Sequence, residues 1–228
     1  MSNVIELRQV DKTYKGPPDV QVLFGIDLSF ADGSFNSIVG ESGSGKSTLM
    51  NIIGTLDTPT SGDVVIAGQH TGRLGRDKLA ELRNRTIGFI FQFHYLLPEF
   101  SAIDNVLMPH VIGRQRPSSE VLEWASELFE LMGISKVKRN PATRMSGGQQ
   151  QRVAIIRSLI NKPKIILADE PTGNLDSVNT AITYERFRDI NQRYGTTFVV
   201  VTHDRRIAEQ TDRIVEIRDG RMVLDINT

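Results

Sequence analysis

One octapeptide limits the folds open to this chain more than any other feature: Gly40-Glu41-Ser42-Gly43-Ser44-Gly45-Lys46-Ser47. A glycine, four residues, a second glycine, then lysine and a hydroxyl residue is the spacing of a phosphate-binding loop. Glycines let consecutive backbone N–H groups converge on anionic oxygens, and a helix starting where the loop ends turns its positive N-terminus toward the same anion. Such a loop needs a strand before it and a helix after it. The run Ser34 to Val39 reads as the strand, and Lys46 to Ile53 reads as the helix. Lys46 is therefore assigned to the β- and γ-phosphates of a nucleotide, Ser47 to magnesium and Thr48 to phosphate support. Gly40, Glu41, Ser42, Gly43, Ser44 and Gly45 form the cradle.

A second run, Ile165-Ile166-Leu167-Ala168-Asp169-Glu170, is an aliphatic strand that ends in two carboxylates. In parallel α/β sheets ligands bind at the carboxyl ends of strands, which is where these acids fall. Asp169 suits a magnesium shell, and Glu170 suits a general base that polarises an attacking water.

Around these two runs the chain alternates elements. Val4 to Val10 and Val20 to Phe30 read as an antiparallel patch, with a turn at Ala31-Asp32-Gly33. A pair of short strands is expected to bracket Thr60-Ser61-Gly62, and Ile87 to Phe91 is expected to be a buried strand. From about 93 to 160, Pro98, Pro109, Pro117 and Pro141 are expected to separate helical pieces. Val121, Leu122, Ala125, Leu128, Phe129 and Met132 recur at helical spacing there, which predicts a helical subdomain. Helix Gln149 to Ile160, strand Ile165 to Ala168, helix Val178 to Tyr194 and strand Thr197 to Thr202 imply parallel strands covered by helices. Asp219-Gly220 closes a final hairpin between Ile214 to Arg218 and Arg221 to Asp225. The expectation is one α/β domain over residues 1–228: a mainly parallel core sheet, an N-terminal antiparallel β subdomain and an inserted α-helical subdomain.

Composition narrows the function classes. Lys+Arg and Asp+Glu both number 27, so no global field points to nucleic acid or to an anionic membrane surface. With no cysteine there is neither a disulfide framework nor a thiolate zinc site, which fits the cytoplasm. No run approaches the roughly 18 apolar residues of a spanning helix, and the N-terminus is charged throughout rather than signal-like. Work at a membrane would need a partner to hold the chain there.

Met145-Ser146-Gly147-Gly148-Gln149, continued by Gln150-Gln151-Arg152-Val153-Ala154, decides the family resemblance. It closely resembles the ABC transporter signature, with Met145 where the usual residue is leucine. The resemblance covers essentially the whole chain and implies a P-loop NTPase of ABC type that binds ATP and Mg2+ and hydrolyses ATP. Under it, Tyr14 matches the aromatic that stacks on adenine and Gln92 the glutamine that senses the γ-phosphate and magnesium. Asn174-Leu175-Asp176 matches the loop crossing a dimer interface, and His203 the switch histidine. It further implies a homodimer, because one chain holds one phosphate loop and one signature. ATP would lie between Lys46 and its loop on one copy and Ser146, Gly147, Gly148 and Gln149 on the other.

The segment Phe91 to Val106 is similar to that of the lipoprotein-releasing ATPases and, a little less closely, the macrolide-export ATPases. That similarity implies a transmembrane permease as partner, with Phe93, Tyr95, Leu96 and Leu97 receiving its cytoplasmic coupling helix at the inner membrane. The alternatives are a cell-division ATPase regulating peptidoglycan cleavage and a soluble, non-transport ABC ATPase. The latter usually carries two ATPase domains or a long coiled-coil insertion, neither of which is present.

Overall fold

The computed structural model describes residues 2–113, 116–173 and 177–228. Two sheets organise it. Strands β1 (Asn3–Tyr14), β2 (Val20–Ala31), β4 (Ser61–Ile66) and β5 (Gln69–His70) form an antiparallel sheet in the order β2-β1-β4-β5. Strands β3 (Phe35–Val39), β6 (Ile87–Ile90), β7 (Ile165–Asp169), β8 (Thr197–Val201), β9 (Arg213–Arg218) and β10 (Arg221–Asn227) form the second, in the order β10-β9-β3-β8-β7-β6. Its β9-β3-β8-β7-β6 portion is parallel, and β10 pairs antiparallel with β9 at the edge.

Strands β3 and β8 are buried along their whole length, as expected of parallel strands covered on both faces. Because side chains alternate across a strand, one strand serves two cores. Ile165, Leu167, Val199 and Val201 join the cluster beneath the antiparallel sheet and helix α1 (Lys46–Ile53). Ile166, Ala168, Phe198 and Val200 join the cluster under the remaining helices.

Those helices are α3 (Ala102–Gly113), α4 (Ser119–Leu131), α5 (Gly147–Leu159) and α6 (Ser177–Tyr194); α2 (Arg76–Thr86) and α7 (Arg205–Ala208) are smaller. The amphipathic pattern of α4 buries Trp124, Ala125, Leu128 and Phe129, and the Ser118 hydroxyl caps its N-terminus. The buried Asn105 of α3 accepts from the Leu97 N–H at 2.7 Å and donates to the Leu97 carbonyl at 3.1 Å, tying down the segment before that helix. Among the described residues no helix is long and apolar enough to cross a membrane.

Two expectations fail. The turn placed at Thr60-Ser61-Gly62 lies instead at Ala67-Gly68, between β4 and β5, while Ser61 and Gly62 open β4. Gly62 answers a different need: a Cβ there would stand 2.3 Å from the Gln9 carbonyl oxygen of the neighbouring strand. Pro109 does not end a helix but lies inside α3. Its carbonyl accepts from Asn84 at 2.8 Å, and packing against α5 sustains the helix where one backbone donor is missing.

Candidate functional site

The strand register gathers the polar residues on one edge of the parallel sheet. Ile38 pairs with Val201, Asp169 with Val201, and Ile90 with Ala168. Gly40, Gln92, Glu170 and His203 therefore all emerge from carboxyl ends of adjacent strands, the edge where α/β sheets bind ligands.

The phosphate-loop glycines are required by close approach. A Cβ on Gly40, at φ 153°, would lie 2.1 Å from the Ile217 carbonyl oxygen, and one on Gly45, at φ 103°, would lie 2.9 Å from Leu23 Cδ2. The Ser44 N–H donates to the Glu41 carbonyl at 3.2 Å, which closes the loop, while Glu41, Ser42 and Gly43 stay exposed. Lys46 begins α1 yet is only 8% exposed, and its Nζ folds back to the Glu41 carbonyl at 2.6 Å and Ser44 Oγ at 3.3 Å. Burial pulls its pKa down, and the nearby charges of Glu170 and Asp169 oppose that shift. A desolvated ammonium held in the mouth of its own loop is a ready partner for phosphate oxygens. Thr48 is half-buried one residue beyond the exposed Ser47.

Asp169 and Glu170 take different surroundings. Burial and the adjacent Glu170 charge raise the Asp169 pKa; Lys46 and a hydrogen bond from Ser47 act against the rise. Glu170 sits at φ 47°, a left-handed backbone that a non-glycine residue adopts only under constraint. Its N–H donates to the Val201 carbonyl at 2.9 Å, its carbonyl accepts from Gly173, and its Oε1 lies 2.7 Å from His203 Nδ1. Gln92 lies against Gly173, where an added Cβ would meet its amide nitrogen at 3.1 Å. Sequence reasoning thus named a group that the structure brings together: Lys46, Ser47, Asp169, Glu170, Gln92 and His203.

The remaining named residues stand elsewhere. Tyr14 ends β1, 42% exposed, with its hydroxyl donating 2.9 Å to Asp57. Ser146 caps α5 in a reciprocal box: Gln149 N–H reaches Ser146 Oγ at 3.4 Å and Ser146 N–H reaches Gln149 Oε1 at 3.0 Å. A Cβ added to Gly147 or Gly148 would meet nothing within 4 Å, and neither has a positive φ. Nothing inside the chain therefore calls for glycine there. Asn174, Leu175 and Asp176 lie outside the described residues. Among the described residues no cluster of three or more acids and histidines could hold a metal by itself. Asp169 with Ser47 fits magnesium nonetheless, since that ion commonly takes one or two protein oxygens and completes its shell from phosphates and water.

Of the four residues expected to line a partner groove, Phe93, Tyr95 and Leu97 are exposed, at 60%, 67% and 41%. Leu96 instead packs against the core, so the set divides. The sequence reading also missed contacts made by α5: Gln151 Nε2 donates to the Pro171 carbonyl, and Arg157 donates to the Tyr95 and His94 carbonyls at 2.8 and 2.7 Å. Both residues lie near the signature, but their partners are distant in sequence and carry no local signal.

Residues 23–173 match the family described as ABC transporter. The chain belongs to the ABC transporter family. It is similar to "Lipoprotein-releasing system ATP-binding protein LolD 1" of Rhodopseudomonas palustris, at 48% identity over 97% of this chain and 99% of that one. The LolD of Anaeromyxobacter dehalogenans is 49% identical, over 97% of this chain and 93% of the relative. Among solved structures, the ATP-binding cassette MJ0796 in a dimeric post-hydrolysis state with ADP and Pi is 40% identical, with a TM-score of 0.90 and 98% of each chain covered. The cbiO1 subunit from Clostridium perfringens, part of the cbiONQ complex, is 26% identical with a TM-score of 0.89, over 100% of this chain and 89% of that one. The two-sheet architecture with its helical insertion is thus the ABC cassette fold.

Proposed function

We propose that the chain is the ATP-binding and ATP-hydrolysing subunit of a lipoprotein-releasing ABC transporter, folded as one nucleotide-binding domain. The observation that carries the hydrolytic role is Glu170, fixed by His203 at 2.7 Å near the buried Lys46 and the half-buried Asp169. Lys46 and the loop N–H groups neutralise the β- and γ-phosphates. Ser47, Asp169 and Gln92 hold the magnesium, which supplies charge neutralisation across the phosphates. Glu170 accepts a proton from the water that attacks the γ-phosphorus, the β–γ bridging oxygen departs with ADP, and His203 keeps the carboxylate aimed. Tyr14 stacks on the adenine.

Two copies close around ATP. The open surroundings of Gly147 and Gly148 support a close approach from outside the chain, and the related MJ0796 cassette is dimeric with ADP and Pi. Ser146, Gly147, Gly148 and the Gln149-braced turn then meet the γ-phosphate held by the other copy's loop. A transmembrane permease takes the power stroke at the cytoplasmic face of the inner membrane, docking on Phe93, Tyr95 and Leu97. Lipoprotein release is favoured over macrolide export or cell division because the two curated relatives above carry that name over nearly their full length.

Glu170→Gln is the test. It should bind ATP with wild-type affinity, hydrolyse it about 10²- to 10⁴-fold more slowly and accumulate as an ATP dimer. Undiminished turnover by this variant would overturn the assignment of the base.

A further inference from the structure

Around Tyr14 the structure builds more than an exposed ring. Lys12, two residues earlier on the same face of β1, is only 8% exposed, and its Nζ lies 4.7 Å from the Tyr14 ring centroid. That ammonium donates to Asp57 Oδ1 at 2.6 Å and to the Thr58 carbonyl at 2.8 Å. The other oxygen of Asp57 accepts from the Tyr14 hydroxyl at 2.9 Å, and the Thr58 N–H donates to Oδ1 at 2.7 Å. Burial works against charge on Asp57, but the hydrogen bonds from Lys12, Thr58 and Tyr14 outweigh it and hold the carboxyl below its usual range.

Asp57 is in turn anchored to the helix that leaves the phosphate loop. The N–H groups of Leu56 and Asp57 donate to the Asn51 carbonyl at 2.9 and 3.2 Å. Thr60 adds two ties to the strand end, its hydroxyl accepting from the Thr13 N–H and its N–H donating to the Asp11 carbonyl. Lys46 and Tyr14 are thereby joined through α1 and a short, hydrogen-bonded segment. Partly buried ion pairs rarely add net stability over apolar replacements, so stability alone does not account for this one.

We propose that Lys12 and Asp57 are positioning residues that preset the Tyr14 ring as the platform for the nucleotide base, at a fixed distance from the phosphate loop. The inference rests on the Tyr14 reading given above. With the ammonium over one face of the ring, the base is left the other, and the hydroxyl bond to Asp57 sets the ring plane before ATP arrives. Base recognition, and not phosphate recognition, then depends on the pair.

The experiment compares ATP with inorganic tripolyphosphate by calorimetry on the full chain in the Glu170→Gln background. Tyr14→Phe keeps the ring and removes only its tether, Asp57→Asn keeps the shape, and Lys12→Met keeps the stem. Each should weaken ATP about three- to tenfold and leave tripolyphosphate within about twofold. With Glu170 intact, the same changes should raise KM for ATP at unchanged kcat. Equal losses for both ligands would overturn the proposal, because the effect would then be structural. If Tyr14→Ala costs ATP affinity while Tyr14→Phe and Asp57→Asn bind as wild type, the clamp is wrong and the platform stands. If Tyr14→Ala itself binds ATP normally, the platform reading fails first. Should Lys12→Met not fold, Tyr14→Phe and Asp57→Asn carry the comparison.

Discussion

Replacing Gly147 by alanine should push two properties in opposite directions. Gly147 is the first residue of α5 and has no positive φ, and a methyl group there meets nothing within 4 Å. Within one chain the change is then all gain: alanine over glycine in a helix is worth about 0.5–1 kcal/mol of backbone entropy, toward the low end in a first turn. For a domain of this size that raises the melting temperature by about 1–3 °C. Across the proposed dimer the sign reverses, because the added carbon would displace a backbone N–H from a phosphate oxygen. A lost hydrogen bond to a charged group costs about 1.5–3 kcal/mol, and a symmetric dimer loses one at each of its two sites, about 3–6 kcal/mol or about 10²- to 10⁴-fold in dimer affinity. Melting curves of the nucleotide-free protein and sedimentation of the Glu170→Gln background with ATP read the two halves separately. A lower melting temperature would show that the glycine serves the chain's own fold. A stabilised variant that still dimerises fully would remove the signature from the interface.

Other consequences are as definite. His203→Ala should slow turnover about tenfold, yet add nothing to Glu170→Gln, because it acts only by aiming that carboxylate; a further drop in the double variant would give His203 a task of its own. Arg213 grips Asp225 with two bonds of 2.6 Å across β9 and β10, and those hydrogen bonds hold the Asp225 carboxyl below its usual range. A depressed carboxylate adds stability that is full above its unfolded value of about 3.9 and is lost as pH falls through the folded one. Asp225→Asn should accordingly lower the melting temperature by about 1–3 °C at pH 7, the pair being discounted for solvent screening, and by nothing in strong acid. An unchanged gap at pH 2 would locate the effect elsewhere. Phe93→Ser with Tyr95→Ser should spare basal ATPase activity and abolish copurification with the permease, while Leu96→Glu should unfold the chain; a soluble, active Leu96→Glu protein would contradict its packing against the core.

Elements whose cause is local were legible in the sequence. Helix α1 spans Lys46–Ile53 as read, and the final hairpin turns at Asp219-Gly220, because loop glycines and aliphatic runs act over a few residues. Helix α2 escaped notice since only Leu82 is buried in an otherwise polar segment, which leaves no apolar stripe to detect. Gly62 looked like a turn because glycine marks both turns and close approaches, and only the pairing of β1 with β4 separates the two. The phosphate loop, the paired acids and His203 carry motif spacing. Lys12 with Asp57, 45 residues apart, and Arg157 with Tyr95, 62 apart, carry none, and only the folded chain joins them.

Helix α5 is a rod of 13 residues, about 20 Å long, and two of the side chains along its shaft reach segments far away in sequence. Arg157 holds the carbonyls of His94 and Tyr95 on the exposed aromatic segment, and Gln151 holds Pro171, the residue after Glu170. Its N-terminal end carries Ser146, five residues or about 7.5 Å before Gln151. A hydrogen-bonded helix bends little, so a displacement at the His94–Tyr95 segment is passed along the rod as a whole. A tilt of about 5° swings Ser146 by roughly 0.7 Å, about a quarter of a hydrogen-bond length. On the proposed assembly, such a rotation imposed by the permease at one end would make or break the proposed phosphate contact at the other.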